Sequence, residues 1–189
     1  MDPDMPCAVN STFDVAFWFV DVAQNESEFL QPQKLHRLLF LAQAYYGVAH
    51  QGAKLMPAVF VAEEMGPIEP TIYTAFSKGR PKIDVDMFLP AEVEAFLESI
   101  WQRFGQLSSD RLGKMAKGSV AYRQAMKRGR RAEITLEAMV NAFKKTKAKA
   151  SPLQGASAKV MRSQTGDPVK VTAWTPKSKS QIKTNGNNE

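Results

Sequence analysis

The chain has 189 residues, 44% of them hydrophobic, and its formal net charge is +6. This length suits one domain with an appendage, no apolar run approaches the roughly 18 residues that span a bilayer, and the lone Cys7 excludes an intramolecular disulfide or a cysteine-ligated metal. Residues 144–189 hold ten Lys or Arg against two acids, a net +8, so the first 143 residues sum to −2 and any strong attraction to nucleic acid belongs to the tail.

Helical periodicity begins after Ser11 or Thr12, either of which can cap a first predicted helix over 12–24. Pro32 then occupies the first turn of a second predicted helix, over 32–51, where proline is well tolerated. Apolar side chains recur along that helix at positions that share one face, which predicts one broad buried stripe of Leu35, Leu38, Leu39, Ala42 and Tyr46.

The middle of the chain changes character. Residues 55–64, "LMPAVFVAEE", are short and rich in β-forming residues, which predicts an edge strand or hairpin arm. Gly66 and Pro67 predict a rigid corner that ends it, and 69–79 predict a short helix. Residues 80–88, "RPKIDVDMF", are a second extended piece that we expect to pair with the first.

Four more helices are predicted over 90–106, 108–118, 119–129 and 135–149. A serine caps the second of these helices, and Thr135 caps the last. The predicted fold is mainly α: a compact helical bundle with a small β-hairpin-like element and a disordered basic C-terminal tail. The predicted domain limits are a flexible N-terminus over 1–10, the helical domain over 11–148 and the tail over 149–189.

One tail segment differs from its polar surroundings. Residues 168–174, "PVKVTAW", alternate apolar and polar side chains and end on a tryptophan. Such a segment is a candidate for folding against a partner by adding a strand to a sheet edge. The alternative is an apolar fragment without a role.

The carboxylates suggest no acid–base pair. Glu63 and Glu64 are neighbours in a predicted strand, so their side chains point to opposite faces. We expect both to be solvated strand residues. Asp84 and Asp86 share a strand face and offer oxygen ligands for a divalent cation, but no third ligand accompanies them.

The two histidines suggest neither a metal site nor a catalytic base. His36 and His50 are 14 positions apart on one helix, about 21 Å along its axis, so they cannot share a metal. We expect His36 to be a hydrogen-bonded histidine on the helix surface. The chain also lacks phosphate-cradling and nucleophile-elbow motifs. The sequence therefore predicts a cytoplasmic binding protein without catalytic, cofactor or metal residues.

Residues 127–131, "KRGRR", form a basic cluster between two helices. Such a cluster can contact phosphates or an acidic partner, or it can be a solvated turn. Together with the basic tail, it leaves open an alternative function as a nucleic-acid-associated regulatory protein.

Three stretches resemble, in their order and spacing, the Panacea-domain (SocA-like) antitoxin family. They are "KLHRLLFLAQAYY" (34–46), "VAEEMGPIEPTIYTAF" (61–76) and "FLESIWQRFGQLSSDRLGKMAKGSVAYRQAM" (96–126). The resemblance covers about residues 14–130. The chain departs from the family pattern at Met65, where Tyr is usual, near Lys117, where many members have His, and at Tyr122, where many have Trp.

The resemblance implies an antitoxin that binds and neutralises a cognate protein toxin (SocB-like) and acts as a proteolytic adaptor delivering that toxin to the ClpXP protease. It implies no catalysis, no cofactor and no membrane. Residues around the junction of helix and turn, and the apolar residues of the tail segment, are the candidate partner-binding residues: Tyr45, Met65, Ile68, Tyr73, Val169, Val171 and Trp174.

Overall fold

The computed structural model describes residues 7–82, 89–149, 160–162 and 168–170. The chain divides into a larger unit that ends at Lys149 and a smaller one that begins at Ala150. In chain order, the larger unit contains α1 (Thr12–Asn25), α2 (Pro32–Ala49), β1 (Phe60–Glu63), β2 (Gly66–Ile68), α3 (Pro70–Ala75), α4 (Ala91–Phe104), α5 (Ser109–Gly118), α6 (Val120–Arg128), β3 (Glu133–Ile134) and α7 (Leu136–Lys149). The predicted mainly helical bundle with a small β element is confirmed.

Helix α2 is the centre of the larger unit. Twelve of its 18 residues are buried, and residues 34–44 are buried without interruption. Helices α1, α4, α5 and α7 all pack against it. A helix that is buried on every side needs more than one apolar face. The single predicted stripe was therefore too narrow.

Side-chain caps explain where several helices begin. Ser11, Ser108 and Thr135 accept hydrogen bonds from backbone N–H groups two or three residues further on, at 3.1, 3.3 and 3.3 Å. Ser119 does the same for α6, at 3.2 Å from the N–H of Tyr122. Each bond satisfies an N–H that has no partner inside its helix. The predicted helix starts at these positions are confirmed.

Strands β1 and β2 form an antiparallel hairpin in which Ala62 lies opposite Pro67 and Glu63 opposite Gly66. The chain therefore turns at Glu64 and Met65. The prediction that Gly66 and Pro67 make the corner was wrong by two residues. Pro67 is tolerated within β2 because β2 is an edge strand. Along an edge strand, every second residue directs its backbone N–H away from the sheet, so a proline there breaks no hydrogen bond of the ladder.

The second neighbour of β1 is β3, with Phe60 opposite Ile134 and Val61 opposite Glu133. The sheet order is β2-β1-β3, so both edges of β1 are occupied. Residues 83–88, most of the second predicted extended piece over 80–88, lie outside the described part of the chain, so its predicted pairing stays a prediction.

The folded unit extends further towards the N-terminus than predicted. The N–H groups of Ala8 and Val9 donate to the carbonyls of Lys54 and Leu55, at 3.0 and 2.9 Å, and Val9 is buried in the core. The predicted flexible stretch over 1–10 therefore includes residues that pack against the domain.

The smaller unit contains two short strands, β4 (Val160–Arg162) and β5 (Pro168–Lys170), which pair antiparallel with Met161 opposite Val169. Strand β5 covers the beginning of the predicted strand-forming segment over 168–174. The rest of that segment, and most of the predicted tail over 149–189, lie outside the described residues.

Gly47 lets α2 and α7 approach closely. A Cβ atom at this position would lie 2.6 Å from Cγ2 of Val140, well inside van der Waals contact. Gly47→Ala gains up to about 1 kcal/mol of helix propensity. The rotamer of a β-branched valine is stiff, so we expect the clash to win and the free energy of unfolding to fall by about 1–3 kcal/mol in urea denaturation.

Gly118 provides the matched control because no atom lies within 4 Å of a Cβ built there. Gly118→Ala is expected to leave stability unchanged or to raise it by less than about 1 kcal/mol. In a Val140→Ala background, Gly47→Ala should cost less stability than it does in the wild type, because the clashing methyl group is gone. A Gly47→Ala protein that is more stable than the wild type would contradict the close packing of α2 on α7.

Candidate protein-binding site

Five large apolar side chains are exposed among the residues that the structure describes: Phe29, Val59, Met65, Tyr73 and Val120. Phe29 is 82% exposed, and Met65 and Tyr73 are each 50% exposed. These three line two neighbouring grooves on one side of the domain. Contiguous apolar surface of this kind marks interaction sites in soluble proteins.

The first groove has a volume of about 410 Å³ and runs between the end of α1, the loop before α2 and the chain after α3. Val20, Leu30, Leu35 and Phe76 give it an apolar floor, and Phe29 stands at its border. The groove is therefore predominantly a hydrophobic contact surface.

Two charged residues, Glu28 and Arg80, also line the first groove, and both are ion-paired within the domain. Oε1 of Glu28 lies 2.5 Å from Nζ of Lys34. Arg80 bonds to the carboxylate of Asp21. Neither charge is left without an opposite charge.

The second groove has a volume of about 420 Å³ and lies between the start of α2, the hairpin turn and α3. Pro32 and Phe76 line both grooves, so the two are continuous. We call the surface formed by Phe29, Pro32, Met65, Tyr73 and Phe76 the apolar face. A small pocket of about 40 Å³ below it is lined in part by Ile68 and Arg37.

His36 lies at the base of the second groove and is only 4% exposed. Its Nδ1 accepts a hydrogen bond from the N–H of Glu69 at 3.4 Å. Burial, with a smaller contribution from the charge of Arg37, lowers the pKa of His36 to about 4. The ring is therefore neutral at neutral pH. The predicted hydrogen bond is present, but the predicted surface position was wrong because several elements cover α2.

Glu69 has a second role at the same junction. Its carboxylate accepts a hydrogen bond from the N–H of Ile72 at 2.6 Å and so caps α3. A carboxylate at a helix N-terminus also interacts favourably with the helix dipole. Glu69 thus positions both His36, through its backbone, and α3, through its side chain.

Arg37, the next residue of α2, is buried and fixes the hairpin turn. Its guanidinium donates to the carbonyl of Met65 at 3.2 Å and to the hydroxyl of Ser109. Gly113 leaves room for it, because a Cβ there would lie 3.1 Å from Nε. Burial lowers the pKa of Arg37, and the carboxylate of Asp110 opposes this shift. Arginine nevertheless stays charged in proteins.

The other side of the hairpin is held by Tyr122 and Glu63. The hydroxyl of Tyr122 donates to the carbonyl of Glu63 at 2.6 Å. The Glu63 carboxylate lies 2.9 Å from Nε of Arg130 and 3.6 Å from Nε of Arg131. The prediction that Glu63 is a solvated strand residue was wrong, because the basic cluster over 127–131 folds onto it. Glu64 is exposed, as predicted.

The structure brings together some of the predicted partner-binding residues. Met65 and Tyr73 border the second groove, and Ile68 lies in the small pocket below it. Tyr45 lies elsewhere on α2, where its ring packs against Phe104 and Phe143 at centroid distances of 5.4 and 5.3 Å. Val169 is in β5 of the smaller unit, and Val171 and Trp174 lie outside the described residues.

Sequence reasoning missed Phe29, Pro32, His36 and Phe76 as members of this surface. Phe29 offered one usable signal, because it is the first aromatic residue after α1 and stands in the polar stretch "NESEFLQ". A large apolar side chain in a polar loop either packs inward or serves a partner. Phe76 and Pro32 gave no such signal, since both also fit helix ends.

Comparison with protein-family models, curated proteins and solved structures gave no match. No helix in the described part of the chain is long and apolar enough to cross a membrane. Within residues 7–82 and 89–149, no three His, Cys, Asp or Glu side chains gather to hold a metal ion. Asp84 and Asp86 lie outside this part. The fold and site together define a helical domain built around α2 that carries a two-groove apolar face.

The low pKa of His36 predicts a pH-dependent stability. The unfolded chain has the ordinary histidine pKa near 6.5, so below that pH it binds a proton that the folded chain does not bind until about pH 4. Stability from His36 is complete above about pH 6.5 and is lost as the pH falls towards 4. Between about pH 7 and pH 5 we expect His36 to lower the free energy of unfolding by about 2 kcal/mol.

His36→Asn is the comparison variant because asparagine does not titrate and its side chain can still accept the Glu69 N–H. Urea denaturation at each pH should show a shallower loss of stability in the variant than in the wild type. Parallel pH profiles for the two proteins would contradict a buried, neutral His36.

Proposed function

We propose that this protein is a binding module that grips a protein partner through the apolar face. One observation carries the proposal: Phe29, Met65 and Tyr73, three of the five exposed large apolar side chains among the described residues, border two joined grooves. Apolar surface in water is unfavourable, and burial against a partner recovers that free energy.

The family resemblance narrows the partner. Two of the stretches that resemble SocA-like antitoxins, 34–46 and 61–76, contain His36, Met65 and Tyr73 of the second groove. We therefore propose an antitoxin that neutralises a cognate, SocB-like protein toxin by direct contact with this surface. Neutralisation by contact needs shape and apolar area rather than a catalytic group.

We further propose that the protein is an adaptor that delivers the toxin to the cytoplasmic ClpXP protease. An adaptor needs one contact for its cargo and another for the protease. Residues 144–189, with their net charge of +8 and the segment over 168–174, are the candidate second contact. A tether of this kind raises the effective concentration of cargo at the protease.

The alternative is a nucleic-acid-associated regulator that uses the basic cluster over 127–131 and the tail. The carboxylate of Glu63 lies within 4 Å of both Arg130 and Arg131 and neutralises part of that cluster. This internal pairing weakens the alternative, which predicts nucleic-acid binding that falls steeply with salt.

The first test is the affinity for purified SocB-like toxin, measured by calorimetry with the full chain. Met65→Ala/Tyr73→Ala should weaken binding by at least about tenfold, as expected when two large apolar side chains that a partner buries are truncated. Both side chains are half exposed, so the double variant should remain folded.

Val120→Ala is the control for that experiment. Val120 is 47% exposed, on α6, and lines a separate, more polar groove. Its truncation should leave toxin affinity unchanged. A wild-type chain that binds nucleic acid but no toxin would refute the proposal in favour of the alternative.

The second test is the rate of toxin loss in a reconstituted ClpXP reaction. The full chain should accelerate degradation of the toxin. Val169→Asp/Trp174→Ala replaces two apolar side chains of the tail segment, so it should abolish the acceleration while leaving toxin affinity intact. Acceleration that survives this change would show that the segment over 168–174 is not the protease contact.

A further inference from the structure

The two grooves present one occupant with two apolar pockets. Pro32 and Phe76 line both the groove of about 410 Å³ and the groove of about 420 Å³, so the two grooves meet at these residues. A chain segment that passes over Pro32 and Phe76 places side chains in both grooves. The apolar lining on each side favours apolar side chains at both places.

Among the residues that the structure describes, the apolar face offers no unpaired charge to a partner. The second groove is lined by side chains that carry no charge at neutral pH, including the neutral His36. Glu28 and Arg80 of the first groove are already paired with Lys34 and Asp21. A charged side chain entering either groove would lose its hydration without gaining an opposite charge. An occupant without charged side chains therefore fits best.

The border of the second groove supplies neutral hydrogen-bonding groups. Gln31 and Gln33 each carry an amide that both donates and accepts. The hydroxyl of Ser77 donates to the carbonyl of Thr74 at 2.7 Å and keeps its lone pairs for another donor. A helix satisfies its own backbone groups, whereas an extended segment needs partners for them. These donors and acceptors can pair with the free backbone groups of an extended segment.

His36 provides a directed donor at the base of the same groove. Because its Nδ1 accepts the Glu69 N–H, the hydrogen of the neutral ring lies on Nε2. No hydrogen bond from Nε2 is found among the described residues, and the ring, although only 4% exposed, lines the second groove. The groove thus holds a fixed N–H that a carbonyl of an occupant can accept.

We infer that the apolar face binds an uncharged, extended peptide segment of the protein partner, with apolar side chains in both grooves and a backbone carbonyl on Nε2 of His36. This inference rests on the proposed protein-binding function and adds the chemistry of the segment that is bound. Acidic segments, helices and nucleic acids are the competing occupants.

The experiment is a selection of phage-displayed random dodecapeptides on the full chain, followed by fluorescence polarisation with labelled synthetic copies. Enriched peptides should share a core with at least two apolar side chains and no charged one. Tyr73→Ala should weaken their binding by at least about tenfold, and Val120→Ala should not change it. Enrichment of acidic peptides, or affinity that is insensitive to Tyr73→Ala, would overturn the inference.

Two His36 variants and a modified peptide test the carbonyl contact. His36→Asn keeps an acceptor for Glu69 but loses the outward donor, so affinity should fall by about three- to tenfold. His36→Gln places a donor near the Nε2 position and should lose less. Replacing one peptide carbonyl with a thioamide, a weaker acceptor, should weaken binding at one position without altering the protein. Full affinity for His36→Asn and for every thioamide peptide would overturn the contact.

A helically constrained copy of each peptide, closed by a lactam, tests its shape. The constrained copy should bind more weakly than the linear one, and tighter binding would overturn the extended conformation. Toxin affinity measured alongside separates the two proposals. Toxin that binds wild type and Tyr73→Ala equally overturns the inference and the proposed role of the apolar face, but leaves direct toxin neutralisation standing. Peptides that bind the face while no toxin binds support the inference and refute the proposed antitoxin function.

Discussion

The buried guanidinium of Arg37 ties the central helix α2 to the hairpin turn and to the start of α5. It joins α2 to the carbonyl of Met65 and to the hydroxyl of Ser109, groups that lie 28 and 72 positions further along the chain. A buried cation without such partners is strongly destabilising, by several kcal/mol. The positions of the hairpin turn and of the start of α5 therefore follow from where Arg37 lies on α2. Gly113 is part of the same constraint, because a side chain there would meet the guanidinium.

This constraint has a consequence for binding. Met65, at the tip of the hairpin, is exposed, yet its own carbonyl is held by Arg37. The residue on the other side of the turn, Glu63, is held by Tyr122 and by two arginines. An exposed apolar side chain on a turn anchored from both sides loses little backbone freedom when a partner binds. Preorganisation of this kind favours affinity without adding contacts.

The helices were predictable because each combines apolar periodicity with a cap or a proline at its start. The sheet was less predictable for two physical reasons. Strand β3 has only two residues, Glu133 and Ile134, and two residues show no alternation. Pro67 suggested a chain break, yet an edge strand tolerates a proline because its outward N–H is not used. The position of the turn was therefore predicted two residues too late.

The candidate site was predictable only where its parts are close in sequence. Met65, Ile68 and Tyr73 surround one turn, so their grouping needed no knowledge of the tertiary fold. Phe29 and Phe76 join the apolar face only because the loop before α2 and the end of α3 pack side by side. Tyr45 shares a helix with His36, but nine residues along α2 amount to about 13 Å, which takes it to a different contact with Phe104 and Phe143.

The distribution of charge explains how a basic protein presents a neutral face. The first 143 residues sum to −2, and the excess of +8 lies in residues 144–189. Near the face, Glu28, Arg80 and their partners neutralise one another within the domain. Recognition at the face then depends on apolar area and neutral hydrogen bonds, which salt screens little. Attraction by the tail depends on charge and weakens over a Debye length of about 8 Å at physiological salt. The chain thus combines a binding face that is insensitive to salt with a tail whose attraction to partners is sensitive to salt.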